Sequence, residues 1–186
     1  MHKLTAINNI RYSHSVCAEL RASHAGETGA VWIYRGILLV NCFRRDCTIE
    51  KFAQHHLATE KNHLIRFENL IHRFRGSGLL LLWIIAGFVT GALSMMLGRN
   101  WVYYTIYKVE TFVDVHYRRQ ISTLTQLNFA DKTEIIQMMA SCNADEQAHR
   151  DEALHAIVGK PNFAMRIWGQ LVAAGSHGAV VIAKLL

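Results

Sequence analysis

The chain has 186 residues, enough for one domain with a real core and too few to expect two. It contains one proline and no Ser/Pro/Gly-rich linker, which argues for a single, mostly helical unit over residues 1–186. Hydrophobic residues make up 51% and charged residues only 18%, with a formal net charge of +6, so an anionic surface is the natural partner and the apolar excess favours lipid headgroups over nucleic acid.

The N-terminal stretch MHKLTAINNIRYSHSV has no apolar core of the kind a secretory signal needs, and it is short for a transit peptide. Beyond it, five long helical stretches and one shorter one follow from the 3.6-residue periodicity. The first runs from Val16 to Phe43 and the second from Thr48 to Phe74, with Thr48 as its N-cap. A third, apolar stretch spans Leu79 to Leu97 and is bracketed by Gly76, Gly78 and Gly98. The fourth covers Trp101 to Leu127. The fifth runs from Asp131, an N-cap residue by type, to Val158, where Gly159 and Pro161 supply a stop signal. A final apolar helix fills Asn162 to Leu186. Strand-like alternation is missing throughout, and the predicted class is all-α. Four cysteines (Cys17, Cys42, Cys47, Cys142) lack CxxC spacing and read as thiols in a reducing compartment.

Four of the predicted helices carry glutamates and histidines in a repeating order. Glu27 lies in SHAGETGA, Glu60 and His63 in ATEKNHL, Glu110 in KVETFVDVHY, and Glu146 and His149 in ADEQAHRD. The order is Glu, Glu-x-x-His, Glu, Glu-x-x-His, with 83 residues from Glu27 to Glu110 and 86 from Glu60 to Glu146. A glutamate and a histidine three apart project from the same helix face. Independent placement of nine glutamates and eleven histidines would yield about half of one such pair by accident; the chain has three. The third, Glu152 and His155, begins six residues after Glu146 and is turned roughly 120° around the helix, so it belongs to the surface or to a second layer around the site.

Four carboxylates and two imidazoles from four helices match the ligand set of di-iron or di-manganese bundles. Two divalent ions bring about four positive charges, which four carboxylates neutralise inside a low-dielectric interior. The oxygen-rich set favours iron or manganese over zinc. Glu60 and Glu146 are expected to bridge, Glu27 and Glu110 to bind terminally, and His63 and His149 to take one metal each. Ala25, Gly26, Gly29 and Ala30 around Glu27 would let a neighbouring helix or a substrate approach closely; on that helix Gly26, Ala30 and Tyr34 are predicted to line a substrate channel.

Residues 76 to 98 carry one charge-free run, which by itself suggests a membrane span. A span would strand Glu60 and Glu110 on opposite sides of the bilayer. Running back along the bundle, the segment supplies the roughly 35 Å that the two ligand positions require at 1.5 Å per residue. The fold expected is therefore a ferritin-like four-helix bundle with an apolar crossover helix and a C-terminal amphipathic helix. The crossover is expected to lie in lipid through Leu81, Trp83, Ile85 and Phe88, as a monotopic contact in preference to a true span.

On these residues the chain resembles the demethoxyubiquinone hydroxylases of ubiquinone biosynthesis. The matching segments are HAGETGA with Ile33 and Tyr34, TEKNHL, the LW, GF, GA and LG pairs of the crossover, Val109 and Glu110 with His116, Tyr117 and Gln120, Asp145, Glu146, His149 and Asp151, and Ala174 and Gly175 in the tail. The resemblance covers the chain from about residue 19 to its end. It implies a membrane-associated di-iron monooxygenase that uses O2 and two electrons to hydroxylate the ring of a polyprenyl quinone. It places the ligands on the same six residues and adds His116 and Tyr117 as candidate catalytic residues in a second layer. It leaves the electron donor open, with NADH or a reduced quinone as the options, and implies a lipid-binding accessory protein, a homo-oligomer, and a peripheral position on the cytoplasmic face of a bacterial inner membrane or the matrix face of a mitochondrial one; the scattered basic residues argue for no nucleic acid. Thr111, Asp114, Arg35, Ile37 and Arg150 depart from the family's pattern, which leaves a divergent paralogue with another substrate as an alternative. A ferritin-like iron-binding or oxidase protein would share the ligands but wants a charged surface, and a metal-free structural bundle would leave six residues in register as coincidence.

Overall fold

The computed structural model describes residues 12–186; most of the N-terminal stretch read above lies outside the described residues. The described chain is helical, with six helices and no strand among the described residues: α1 (His14–Arg44), α2 (Cys47–Glu68), α3 (Leu80–Leu97), α4 (Arg99–Gln126), α5 (Lys132–Ala156) and α6 (Phe163–Leu185). It is a helical bundle of the ferritin-like kind, in which α1, α2, α4 and α5 carry the glutamates.

Local chemistry sets the helix ends; α2 stops at Glu68 and continues as turns to Phe74, where the helix was expected to end, and two caps also differ from expectation. Asp46, not Thr48, caps α2: its carboxylate accepts from the backbone N–H of Thr48 and of Ile49. The Asn41 side chain clamps the α1–α2 turn, bonding both the N–H and the C=O of Asp46. Asp131 does stand at the N-cap of α5, but in the left-handed region (φ 54°) and with no capping bond; its carboxylate pairs instead with Arg73. Gly98 (φ 119°) permits the sharp α3–α4 reversal, a conformation that side chains rarely adopt.

The bundle interior is layered. Along α1 the buried residues run Val16 and Leu20, then Glu27, then Val31, Tyr34 and Ile37. On α2 and α4 the order is reversed or repeated so that Phe52 and Leu57 precede Glu60, Phe67 follows it, and Ile106 and Val109 precede Glu110. The first group on α1 joins Phe67, Tyr117, Leu124 and Met139 in one apolar cluster, and the second joins Phe52, Ile106, Val109 and Ala153 in another. The glutamates therefore form a polar layer between two dry cores. Water cannot rescue charges placed there.

As expected, α3 runs along α1 and crosses over. Glycine makes this contact backbone on backbone. A Cβ at Gly91 would run into the carbonyl of Ile33, one at Gly87 into the carbonyl of Gly29, and one at Gly36 into the backbone of Phe88 and Ala92. Rigid main chain on both sides leaves nothing to move aside. Gly91→Val should therefore destabilise the protein by about 3 kcal/mol or more, at the upper end of overpacking costs. Gly26→Ala, which meets nothing within 4 Å, should shift denaturant unfolding little or favourably. Similar midpoints for the two variants would mean that the seam is looser than described.

The outward face of α3 is apolar: Leu81 is 69% and Ile85 52% exposed, and Val89, Leu93 and Met96 follow on the same side. The helix is long and apolar enough to cross a membrane. Trp83 corrects the expected lipid-facing set. It is buried, its indole N–H donates to Ser77 Oγ at 3.0 Å, and it packs on Ala25 and Ala183. Its N–H needs a partner that hydrocarbon cannot provide, so it turns inward. Phe88 is half-buried, set edge-on to Trp32.

Candidate metal centre

Each of the six residues singled out by spacing reaches one point at mid-bundle. Glu27, Glu60, Glu110, Glu146, His63 and His149 are all buried, none more than 4% exposed. They fall into two overlapping quartets, Glu27/Glu60/His63/Glu146 and Glu60/Glu110/Glu146/His149, and within each the ligand atoms lie within 4.8 Å of one another. Glu60 and Glu146 belong to both. His63 Nδ1 is 3.0 Å from Glu146 Oε1, 3.5 Å from Glu27 Oε2 and 3.8 Å from Glu60 Oε2. His149 Nδ1 is 3.2 Å from Glu60 Oε1 and 3.4 Å from Glu146 Oε2. Both imidazoles thus turn Nδ1 to the cluster.

Protein hydrogen bonds do not satisfy this layer. Glu27 Oε2, both oxygens of Glu60, Glu146 Oε2 and His149 Nδ1 are buried without a hydrogen-bond partner. Buried polar atoms are ordinarily paired, and so many orphans converging on one point call for a cation. An oxygen-rich donor set with one imidazole in each quartet fits two metal ions.

Charge crowding leaves a titration signature in the metal-free protein. Burial, then the Glu146 carboxylate, pushes Glu60 up to about 8, and the same two causes raise Glu110 well above its usual range. Glu146 goes the other way: burial opposes its charge, but the His149 and His63 rings, 3.4 and 3.0 Å from its oxygens, hold it at about 2. Burial likewise opposes the charge on His149, yet the carboxylates of Glu146 and Glu60 lift it to about 9. A carboxyl raised from 4.5 to about 8 binds its proton more tightly when folded, so its stabilisation fades as pH climbs toward 8. A histidine raised from 6.5 to about 9 loses its contribution over the same rise. His56 and His116, both lowered to about 4, act in the opposite sense, but only below 6.5. The metal-free protein should therefore lose stability steadily from pH 6.5 to 9, and bound metal should flatten that slope by replacing the protons. Melting temperatures of the two forms across that range check this; parallel slopes would refute it.

An apolar cavity of about 330 Å³ leads to the layer from one side. Glu27, Glu60, Glu110 and Glu146 form its floor, and α3 and α6 its outer wall, where Ala86 and Leu171 are exposed at the rim. Gly26 and Ala30, two of the three residues of the expected channel, line it. Tyr34 does not, which corrects the expected channel. Eight residues at 100° each carry it about 80° round α1 from Gly26, and its hydroxyl meets His56 Nδ1 at 3.0 Å instead. A second cavity opens between the N-terminal half of α2, Tyr103 of α4 and Glu152 and Ala156 of α5, and none of the six glutamates and histidines of the layer lines it.

His116 and Tyr117 both line the cavity. The Tyr117 hydroxyl donates to Glu27 Oε1, and the His116 ring stacks parallel to Phe112 with its Nε2 buried and unpartnered. Burial, with Lys184 nearby, lowers His116 to about 4 and keeps it neutral. Two of the departures from the family's pattern turn out to be partners: Arg150 Nη1 is 2.8 Å from buried Asp114 Oδ2, and Gln147 donates to Asp114 Oδ1 at 3.0 Å. Arg118 reaches the same carboxylate at 2.8 Å from the solvent side. Arg35 is exposed with its guanidinium over Trp32, and Ile37 is fully buried.

Two residues around the site were given no role by the sequence. Asp145 holds His63 Nε2 at 3.0 Å, a carboxylate behind a metal-facing imidazole. His56 is wholly buried and stacks on His149. His56 lies four residues before Glu60 and so near its face, which was the available signal. The third Glu-x-x-His pair divides: Glu152 bonds His56 Nε2 at 2.9 Å, while His155 only reaches the backbone of Asp151.

Comparison with known proteins agrees with this geometry. Residues 14–183 match the model of a family described as ubiquinone biosynthesis protein COQ7. The mitochondrial NADPH-dependent 3-demethoxyubiquinone 3-hydroxylase of Rattus norvegicus is 30% identical over 168 residues, 89% of this chain and 75% of that protein. The Homo sapiens protein of the same name is 29% identical over 170 residues, 90% of this chain and 76% of its own length. A bacterial relative, the 3-demethoxyubiquinol 3-hydroxylase of Rhodospirillum rubrum, is 34% identical over 134 residues, 71% of this chain and 60% of that protein.

Proposed function

The chain belongs to the family of the ubiquinone biosynthesis protein COQ7, and from that premise we propose that it hydroxylates the ring of a polyprenyl benzoquinone, converting demethoxyubiquinone to demethylubiquinone with O2 and two electrons. One observation carries the reading: four buried carboxylates, three of them with unpaired oxygens, form the floor of an apolar cavity, with two imidazoles behind them. Glu60 and Glu146, common to both quartets, would hold both of two iron ions, with Glu27 and His63 on one side and Glu110 and His149 on the other. The iron pair, when bound, supplies the activation of O2 that a quinone ring does not undergo alone.

The remaining work falls to the chain itself. The cavity walls, with Ile33, Val109 and Val113 among them, exclude water from the ring. Tyr117 orients Glu27 through its hydroxyl. Neutral His116 offers its unpartnered Nε2 to a ring oxygen. The prenyl tail leaves between α3 and α6, whose exposed apolar residues, among them Leu81, Ile85, Phe163 and Leu185, rest in one leaflet. The protein is thus peripheral, on the cytoplasmic face of a bacterial inner membrane or the matrix face of a mitochondrial one. Since the mitochondrial relatives are named NADPH-dependent, a reduced nicotinamide dinucleotide is the electron source proposed. A lipid-binding accessory protein would help extract so apolar a substrate, and self-association would shield part of the apolar face. Iron storage is the weaker reading, because an apolar cavity is a poor path for hydrated iron.

Expression in a host lacking its own hydroxylase tests the activity: the accumulated demethoxy quinone should disappear and ubiquinone return. Persistence of the intermediate beside iron-loaded protein would overturn the assignment. For the membrane contact, Leu81→Lys with Ile85→Lys should move the protein to the soluble fraction with its metal retained. Resistance of the native protein to carbonate extraction would favour a span instead.

A further inference from the structure

The two histidines of the metal centre are oriented by different means. His63 has the usual support, Asp145 on its outer nitrogen at 3.0 Å. His149 has no hydrogen bond to its outer nitrogen among the described residues. In its place, the His56 ring lies flat on the His149 ring, centroids 4.0 Å apart and planes 16° from parallel.

His56 is itself fixed on every side. Tyr34 Oη meets Nδ1 at 3.0 Å and Glu152 Oε2 meets Nε2 at 2.9 Å, one partner from α1 and one from α5. Phe52 covers the face away from His149, with ring centroids 4.1 Å apart. A side chain with both nitrogens held and both faces covered has no rotational freedom left. Three helices go to the trouble of immobilising an imidazole that the proposed chemistry does not use.

We propose that His56 is a positioning residue for His149, doing by ring stacking what Asp145 does for His63 by hydrogen bonding, so that the Glu110/His149 half of the centre depends on the Tyr34–His56–Glu152 clamp and the Glu27/His63 half does not. This rests on the metal-centre reading above. It makes the two metal positions inequivalent: the half held by Asp145 fills first, and the half held through His56 fills second and responds to changes 96 residues apart in sequence.

Metal titration of the full chain tests it, read as stoichiometry and stepwise affinity by iron(II) binding and by manganese(II) electron paramagnetic resonance, not by turnover. The unsubstituted protein should bind two metals per chain. His56→Leu, which removes the ring, should weaken the second metal at least tenfold and leave the first unchanged, and His56→Phe, which restores a stacking ring, should recover most of that loss. Asp145→Asn should instead weaken the first. Should His56→Leu misfold, Glu152→Gln and Tyr34→Phe release one side of the clamp without emptying the core, and each should weaken the second metal severalfold. Binding of two metals by the native protein with equal losses, or none, across the His56, Glu152 and Tyr34 variants would overturn the inference alone. Failure of the native protein to bind two metals would overturn the metal-centre reading on which it stands.

Discussion

Glu146→Ala should abolish binding of both metals. Glu146 is shared by the two quartets, with Oε1 3.0 Å from His63 Nδ1 and Oε2 3.4 Å from His149 Nδ1. Its removal takes a negative charge from between two cations in a dry layer and leaves Glu60 as the one other side chain common to both quartets. The native fold should persist, because the apolar clusters on either side of the layer do not depend on that carboxylate. Iron content should fall from two per chain to near zero with the helical signal unchanged. Retention of two irons would show that Glu60 suffices as a bridge.

Ala30→Phe should block hydroxylation while sparing the metals. Ala30 lines the cavity without touching a ligand, and a phenyl ring there would fill a large part of its 330 Å³. Iron content should remain near two per chain while turnover drops at least a hundredfold and the demethoxy quinone accumulates. Undiminished turnover would mean that the ring enters by another route. Since overpacking can distort a bundle, Ala30→Gly serves as the companion: it widens the cavity and should keep most activity.

The buried layer of glutamates and histidines was legible in the sequence because helices repeat. A glutamate and a histidine three apart must share a face, and two Glu-x-x-His helices 86 residues apart suffice to place four ligands before any packing is known. Helix extents followed from periodicity and from Gly159 and Pro161 except at the end of the second helix, which stops at Glu68 and not at Phe74. What could not be read was whatever depends on a partner distant in sequence. His56 gains its role from Tyr34, Glu152 and His149 on two other helices, and alone it is one histidine among eleven. Trp83 reads as lipid-facing by type, and only the position of Ser77 turns it inward. Tyr34 was misplaced by angle: two small residues above it on α1 suggested one continuous face, and the helical drift of about 40° over each four residues carried it off the cavity.

The pairing of Asp114 with Arg150 bears on how such a chain is reached by descent. The two residues, each expected to depart from the family's pattern, are joined at 2.8 Å across α4 and α5. Asp114 without Arg150 would be a buried carboxylate with Gln147 and a largely solvated Arg118 for company. Arg150 without Asp114 would lose its tie to α4 and keep only its neighbour Asp151. Either intermediate is handicapped, one helical turn or less from Glu110 or His149. The two positions therefore form a single heritable unit, and lineages are expected to carry both or neither.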